Sequence, residues 1–195
     1  MPPDCRPANH SRFAARVLVA LGAGLALLAA AQTVSLTPNQ HKALFLYNFA
    51  KYTEWPKEAV VSDDAPFVLG ILGQSPFGKD IAILESKTVK GRQLVVRPYA
   101  SVEDIPKGEC QLLFIASSET NKLAQILKAV EKTHILTIAE ADGFLQASGM
   151  INLLTERKSA GTQTVSFEVN LVAATRANLK LDVQLLKLAK TVLRT

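Results

Sequence analysis

The chain has 195 residues, 48% of them apolar, with 22 Lys and Arg against 17 Asp and Glu and a formal net charge of +5. Its basic residues are spread along the sequence rather than massed, which argues against nucleic-acid binding. Its two cysteines, Cys5 and Cys110, lie on opposite sides of an apolar leader, so the domain beyond the leader cannot close an internal disulfide.

Residues 1–31 read as a cleavable secretory signal peptide. Arg6, Arg12 and Arg16 form a positive start, no residue from Val17 to Ala31 is polar, and Ala29, Ala30 and Ala31 are small enough for a signal peptidase. The cut is expected between Ala31 and Gln32. Fifteen apolar residues rising ~1.5 Å each span only about 22 Å, short of the ~30 Å hydrocarbon core that an anchor must cross. Cys5 precedes the apolar run, which excludes the lipoprotein pattern. Removing residues 1–31 takes away three Arg and one Asp, lowering the net charge from +5 to +3. The remainder, 32–195, has the size of one soluble domain and no second stretch able to span a membrane.

Asn39 to Trp55 is expected to form a helix ended by Pro56. Ala43, Leu46, Tyr47 and Ala50 share one of its faces and Phe45, Phe49 and Tyr52 another, so it is buried between layers or covered by a partner. After a solvated loop to Pro66, Phe67 to Leu72 is a continuous apolar run of strand length, as in a strand covered on both faces. Ser75-Pro76 starts a helix to about Glu85 that buries Phe77, Ile81 and Leu84. Gln93 to Val96 is a strand closed by Pro98, Ser101 to Ile105 a capped turn, and Cys110 to Ala116 a third strand. Ser118 caps a helix in which Leu123, Ile126, Leu127 and Val130 follow the i, i+3, i+4, i+7 rule. Ile135 to Ile138 is a fourth strand. Strands alternating with helices imply an α/β fold: one domain, a mainly parallel sheet and helices on both faces. Met150 to Thr155 and Thr164 to Val169 then read as an antiparallel hairpin at the edge. Two helices close the chain, Leu171 to Asn178 and Leu181 to Leu193, the second with Leu181, Leu185, Leu188 and Val192 on one side.

Catalytic signatures are missing. No G-x-S-x-G elbow occurs. His41 and His134 are far apart, without a ligand-spaced partner, so neither a metal nor a cofactor is expected and no residue is assigned a catalytic role. Gly70 to Gly78 matches neither phosphate-loop pattern. Ligands of parallel sheets nevertheless settle at the carboxyl ends of strands, which makes Gln74, Ser75, Ser117 and Ser118 the candidate seat of a small ligand or anion. Tyr47, Tyr52 and Trp55 are either core or anchors of a protein interface. The unpaired thiol of Cys110 is either buried in its apolar strand or available to a second chain, which leaves a homodimer open.

The strings KALFLYNFAKYTEWP (Lys42 to Pro56), FVLGILG, CQLLFI, GMINLL and FEVNLVAATRANLKLDVQLLKLA resemble the YfiR/HmsC-like family of exported bacterial proteins, from about Gln40 to Leu188. The aromatic helix ending in Trp55-Pro56 and the strand Phe167-Glu168-Val169-Asn170 are its most specific parts. The resemblance implies a periplasmic α/β protein without catalysis. It also implies a partner, the periplasmic sensor domain of an inner-membrane diguanylate cyclase, whose restraint lowers cyclic di-GMP and biofilm formation. Well-understood members pair the cysteine at the position of Cys110 with another; Phe67 to Leu72 contains none, so a redox-controlled version of that mechanism is not carried over. The competing reading is a periplasmic small-molecule sensor without catalysis.

Overall fold

A computed structural model describes residues 36–59, 62, 64–158, 161 and 163–194. The expected leader and its cut at Ala31–Gln32 lie outside them. Eight strands form one sheet: β2 (Phe67–Leu72), β3 (Thr88–Val89), β4 (Arg92–Tyr99), β5 (Cys110–Ile115), β6 (Leu136–Ala139), β7 (Ile151–Arg157), β8 (Gln163–Asn170) and β10 (Thr191–Leu193), in the order β10-β8-β7-β6-β5-β2-β4-β3. Two short strands, β1 (Thr53–Glu54) and β9 (Lys180–Leu181), pair antiparallel in a separate ribbon. Helices α1 (Pro38–Lys51), α2 (Leu123–Val130), α3 (Leu171–Arg176) and α4 (Val183–Leu188) complete the fold with several 3-10 turns.

Strands β4, β2, β5, β6 and β7 are mutually parallel. Counted along the chain these five run 2-1-3-4-5, the order of a doubly wound sheet whose direction reverses between β2 and β5. Strand β8 returns antiparallel to β7, β10 runs parallel to β8, and β3 is an antiparallel edge on β4. The fold is therefore α/β, with a mainly parallel sheet and an antiparallel hairpin toward one edge.

The continuous apolar runs explain the centre. Every residue of β2, β5 and β6 is buried, as strands covered on both faces must be. One face carries Leu46, Phe49, Phe77, Phe114, Phe167 and Leu185 in a single cluster beneath α1, the 3-10 helix Gly78–Leu84, α3 and α4. The Phe49 and Phe167 rings meet edge-on at 4.9 Å, and Phe77 meets Phe114 at 5.0 Å. Full burial of such a ring stabilises by about 2–3 kcal/mol. The other face packs Leu113 and Ile115 under α2 and under Phe144 and Leu145. The four helical positions expected to be apolar there, Leu123, Ile126, Leu127 and Val130, are all buried.

Helix α1 begins at a capping box, with Thr37 Oγ1 accepting the Gln40 N–H and the Gln40 side chain returning to the Thr37 N–H. It stops at Lys51, short of the expected Trp55, because Thr53 and Glu54 pair with Leu181 and Lys180. Three other expectations need correction. Strand β4 runs through Pro98 to Tyr99; β3 covers only Arg92 and Gln93, so no ladder on that side needs the proline's missing N–H. The segment expected to be a helix from Ser75 is a 3-10 helix from Gly78 to Leu84. The expected final helix Leu181–Leu193 is instead the end of β9, the six-residue α4, and β10. Leu188 is 71% exposed there, so the apolar spacing that suggested one face does not describe it.

Candidate functional site

At the carboxyl ends of the parallel strands the chain makes contacts of its own. Gln74 and Ser75 follow β2, Ser117 and Ser118 follow β5, and all four are exposed. The structure brings the two segments together: Ser118 Oγ accepts the Gln74 N–H at 3.0 Å. A β-carbon on Gly73, which has φ +86°, would lie 2.5 Å from Ser118 Oγ and 2.7 Å from Glu119 Cγ. Ser118 thus ties the reversal point of the sheet rather than capping α2, whose N-cap Lys122 makes no side-chain cap bond. Nearby, Lys42 Nζ meets Glu140 Oε2 at 2.6 Å, and Glu140 Oε1 accepts the Thr155 hydroxyl at 2.5 Å. Thr37 donates its hydroxyl to Asp80 at 2.8 Å, joining α1 to the 3-10 helix after β2.

At the amino ends of the strands the picture differs. A cleft of about 640 Å³ opens there, floored by Val102, Ile105, Cys110, Val130 and Ile135 and rimmed by Lys107, Lys132 and His134. Cys110 itself is 4% exposed, and burial pushes its thiol pKa up to about 12. A thiol so held is a poor nucleophile. The neighbouring Tyr99 hydroxyl is buried without a hydrogen-bond partner, and burial raises its pKa as well. His134 faces the carbonyl of Ala177 through Nδ1 at 2.8 Å, while His41 is exposed on α1. Among the described residues no group of three or more His, Cys, Asp and Glu side chains could hold a metal ion.

The aromatic residues read as either core or interface anchors line up along the same end. Tyr47, Tyr52 and Trp55 are each half-buried. Trp55 Nε1–H donates to the carbonyls of His134 at 2.9 Å and Gln111 at 3.2 Å, and its ring meets Phe67 edge-on at 5.2 Å. Tyr47 donates its hydroxyl to the Thr88 carbonyl at 3.2 Å. Cations cover these rings: Lys51 Nζ lies 5.8 Å from the Tyr47 centroid and 5.6 Å from that of Tyr52. Lys87 Nζ is 5.9 Å from Tyr47 and Lys90 Nζ 5.9 Å from Trp55. Arg92 continues the row, 5.8 Å over Phe67, while donating to the carbonyls of Ala65 and Pro66. Each contact lies within the ~6 Å at which a ring quadrupole attracts a cation. The sequence reading found the rings but not the lysines. Lys51 beside Tyr47 and Tyr52 was visible at helical spacing, whereas Lys87 and Lys90 arrive from the β3 turn.

Trp55 also borders a second cleft of about 540 Å³, with Pro56, Leu171, Leu181 and Leu186 in its wall and Glu54 and Lys180 among its polar lining. Val183 and Leu188 of α4 are 63% and 71% exposed, the two large apolar side chains most open to solvent among the described residues. No helix of the described residues is long and apolar enough to cross a membrane.

Comparison with known proteins bears on the chain's family. None of the curated proteins compared with the chain matches it. A solved structure of a conserved domain protein from Vibrio cholerae O1 biovar El Tor strain N16961 is similar at a TM-score of 0.49 and 11% identity, over 81% of this chain and 61% of that one. The chain thus spans about 61% of that protein's length. The YfiR/HmsC-like family matches residues 39–190, from the first turn of α1 to the approach to β10. The chain therefore belongs to the YfiR/HmsC-like family, in general a family of periplasmic regulators rather than catalysts.

Proposed function

We propose that this protein is exported by its leader, is cut near Ala31–Gln32, and acts in the periplasm as a regulatory binding protein. It restrains an inner-membrane diguanylate cyclase by contact with that enzyme's periplasmic sensor domain, lowering cyclic di-GMP and biofilm formation. Family membership over residues 39–190 carries this reading. The row of Tyr47, Tyr52 and Trp55 with its covering lysines supplies the contact surface, since aromatic residues on a rigid support are what interface anchors require. The test is intracellular cyclic di-GMP in the native host with and without the gene. A rise on deletion, reversed by the full chain but not by one lacking residues 1–31, supports a periplasmic brake. No change across several growth conditions rejects it.

A second reading, a periplasmic sensor of a small molecule without catalysis, is favoured by the 640 Å³ cleft over Cys110. Its other candidate seat is the strand-end group Gln74, Ser75, Ser117 and Ser118. Ligand screening by thermal shift separates the two seats, because Ser118→Ala disturbs only the strand-end seat and Ala129→Trp, at an exposed position, obstructs the cleft.

A further inference from the structure

Among the described residues the three lysines over the aromatic row have no carboxylate partner. The ion pairs among the described residues are Lys42–Glu140, Arg97–Glu109, Lys122–Glu119 and Lys190–Glu156, and none includes Lys51, Lys87 or Lys90. Glu54 and Glu58, the carboxylates nearest Trp55 in sequence, are exposed and outside every one of those pairs. Three ammonium groups are therefore held in a row by rings that are themselves fixed through Thr88, His134 and Gln111. Trp55 stands where this row meets the 540 Å³ cleft walled by Leu171, Leu181 and Leu186. A basic row and an apolar slot thus adjoin at one residue.

We infer that this composite surface docks an acidic segment of a protein partner, with carboxylates on Lys51, Lys87 and Lys90 and a bulky apolar side chain in the slot beside Trp55. Charge complementarity selects the occupant. Fixed ammonium groups without local counter-charges attract carboxylates and steer the encounter, while a desolvated apolar anchor supplies lasting affinity. A lipid surface fits less well, since membrane-interface aromatics project into the headgroup region with their polar tips in water. Here the Tyr47 hydroxyl and the Trp55 N–H are already bonded to backbone carbonyls and the rings lie beneath the lysines. The inference rests on the reading of Tyr47, Tyr52 and Trp55 as partner-facing. It is tested on the purified protein without any cyclase, so its failure and that of the proposed brake are separately readable.

The experiment selects random displayed peptides on the purified protein and follows the recovered peptides by the fluorescence of Trp55, the chain's single tryptophan. Enriched peptides are expected to pair Asp or Glu with a Phe, Leu or Trp. Their affinity is expected to fall roughly tenfold in the K51E/K87E/K90E variant and by a similar factor between ~50 and ~500 mM salt. Leu186→Ala should weaken them severalfold without changing the salt dependence. The K79E/K128E/K158E variant, which reverses as many charges on other surfaces, should bind as wild type. Peptides without excess acidity, or equal binding by K51E/K87E/K90E, overturn the proposal. So does a Trp55 blue shift on phosphatidylglycerol vesicles in the absence of any peptide binding, which would assign the surface to lipid.

Discussion

At the carboxyl ends of the parallel strands the protein's own side chains occupy the ground where ligands of α/β sheets ordinarily settle. Ser118 takes the Gln74 N–H, Glu119 packs over Gly73, and Lys42, Glu140 and Thr155 form a half-buried network. At the amino ends lie the cleft over Cys110 and the lysine-covered aromatic row. The contrast teaches that the strand-end rule locates a geometric opportunity, and that the chain's own side chains can engage some of the groups that line it. In this molecule the carboxyl end ties α1 to the sheet, while the amino end offers a cleft and a row of rings.

Substitutions at the two ends should separate these roles. The largest effect is expected from Lys42→Met, which leaves Glu140 without its cation. Because Glu140 is one-third exposed, the loss should be about 2 kcal/mol, below the 3–5 kcal/mol typical of a fully buried pair, or on the order of 6 °C in Tm. Calorimetry that finds no change would remove this network from the ties that hold α1 to the sheet. Trp55→Phe keeps a ring against Phe67 but leaves the His134 and Gln111 carbonyls without their donor. It should cost about 1.5 kcal/mol in urea denaturation, showing that the row's rigidity has a structural share. A variant as stable as wild type would make Trp55 a purely surface residue.

A smaller effect is expected from the Cys110 thiol. Its folded pKa is raised to about 12 from 9.0, so above pH 9 the unfolded chain releases a proton that the folded one retains. Its contribution is fully present below pH 9 and is lost as pH rises toward 12, with a slope of up to about 1.4 kcal/mol per pH unit. Wild type should accordingly lose about 1 kcal/mol more than Cys110→Ala between pH 8 and 10; parallel curves would place the thiol in water. Thiol reagents should likewise label the native protein far more slowly than the denatured one. Least costly is Ser118→Ala, at about 0.7 kcal/mol, since it frees one exposed N–H that water can satisfy.

Much of the centre was legible because burial on both faces writes itself into composition. Phe67–Leu72 read as a strand from an unbroken apolar run, Cys110–Ala116 from one broken only by Gln111, and Leu123 to Val130 as a helix from its period. Legibility failed where long-range pairing overrules local pattern. Thr53 and Glu54 continue a helical sequence yet pair with Leu181 and Lys180. Leu181, Leu185, Leu188 and Val192 keep helical spacing while belonging to a strand, a helix and another strand. The candidate surface was half legible for the same reason. Its rings come from one contiguous segment, and two of its lysines come from a turn more than thirty residues away.

The unequal lengths of the strands bear on how copies of this protein behave at high concentration. Strand β3 is two residues long and β10 three, so each edge of the eight-stranded sheet offers little template for another chain. Strand β3 leaves part of β4 uncovered, where Pro98 lacks an N–H and Arg97 carries a charge paired with Glu109. A chain approaching in an extended conformation would meet a missing donor and a solvated ion pair. On that edge of the sheet a further strand therefore meets an interrupted ladder rather than a continuous template.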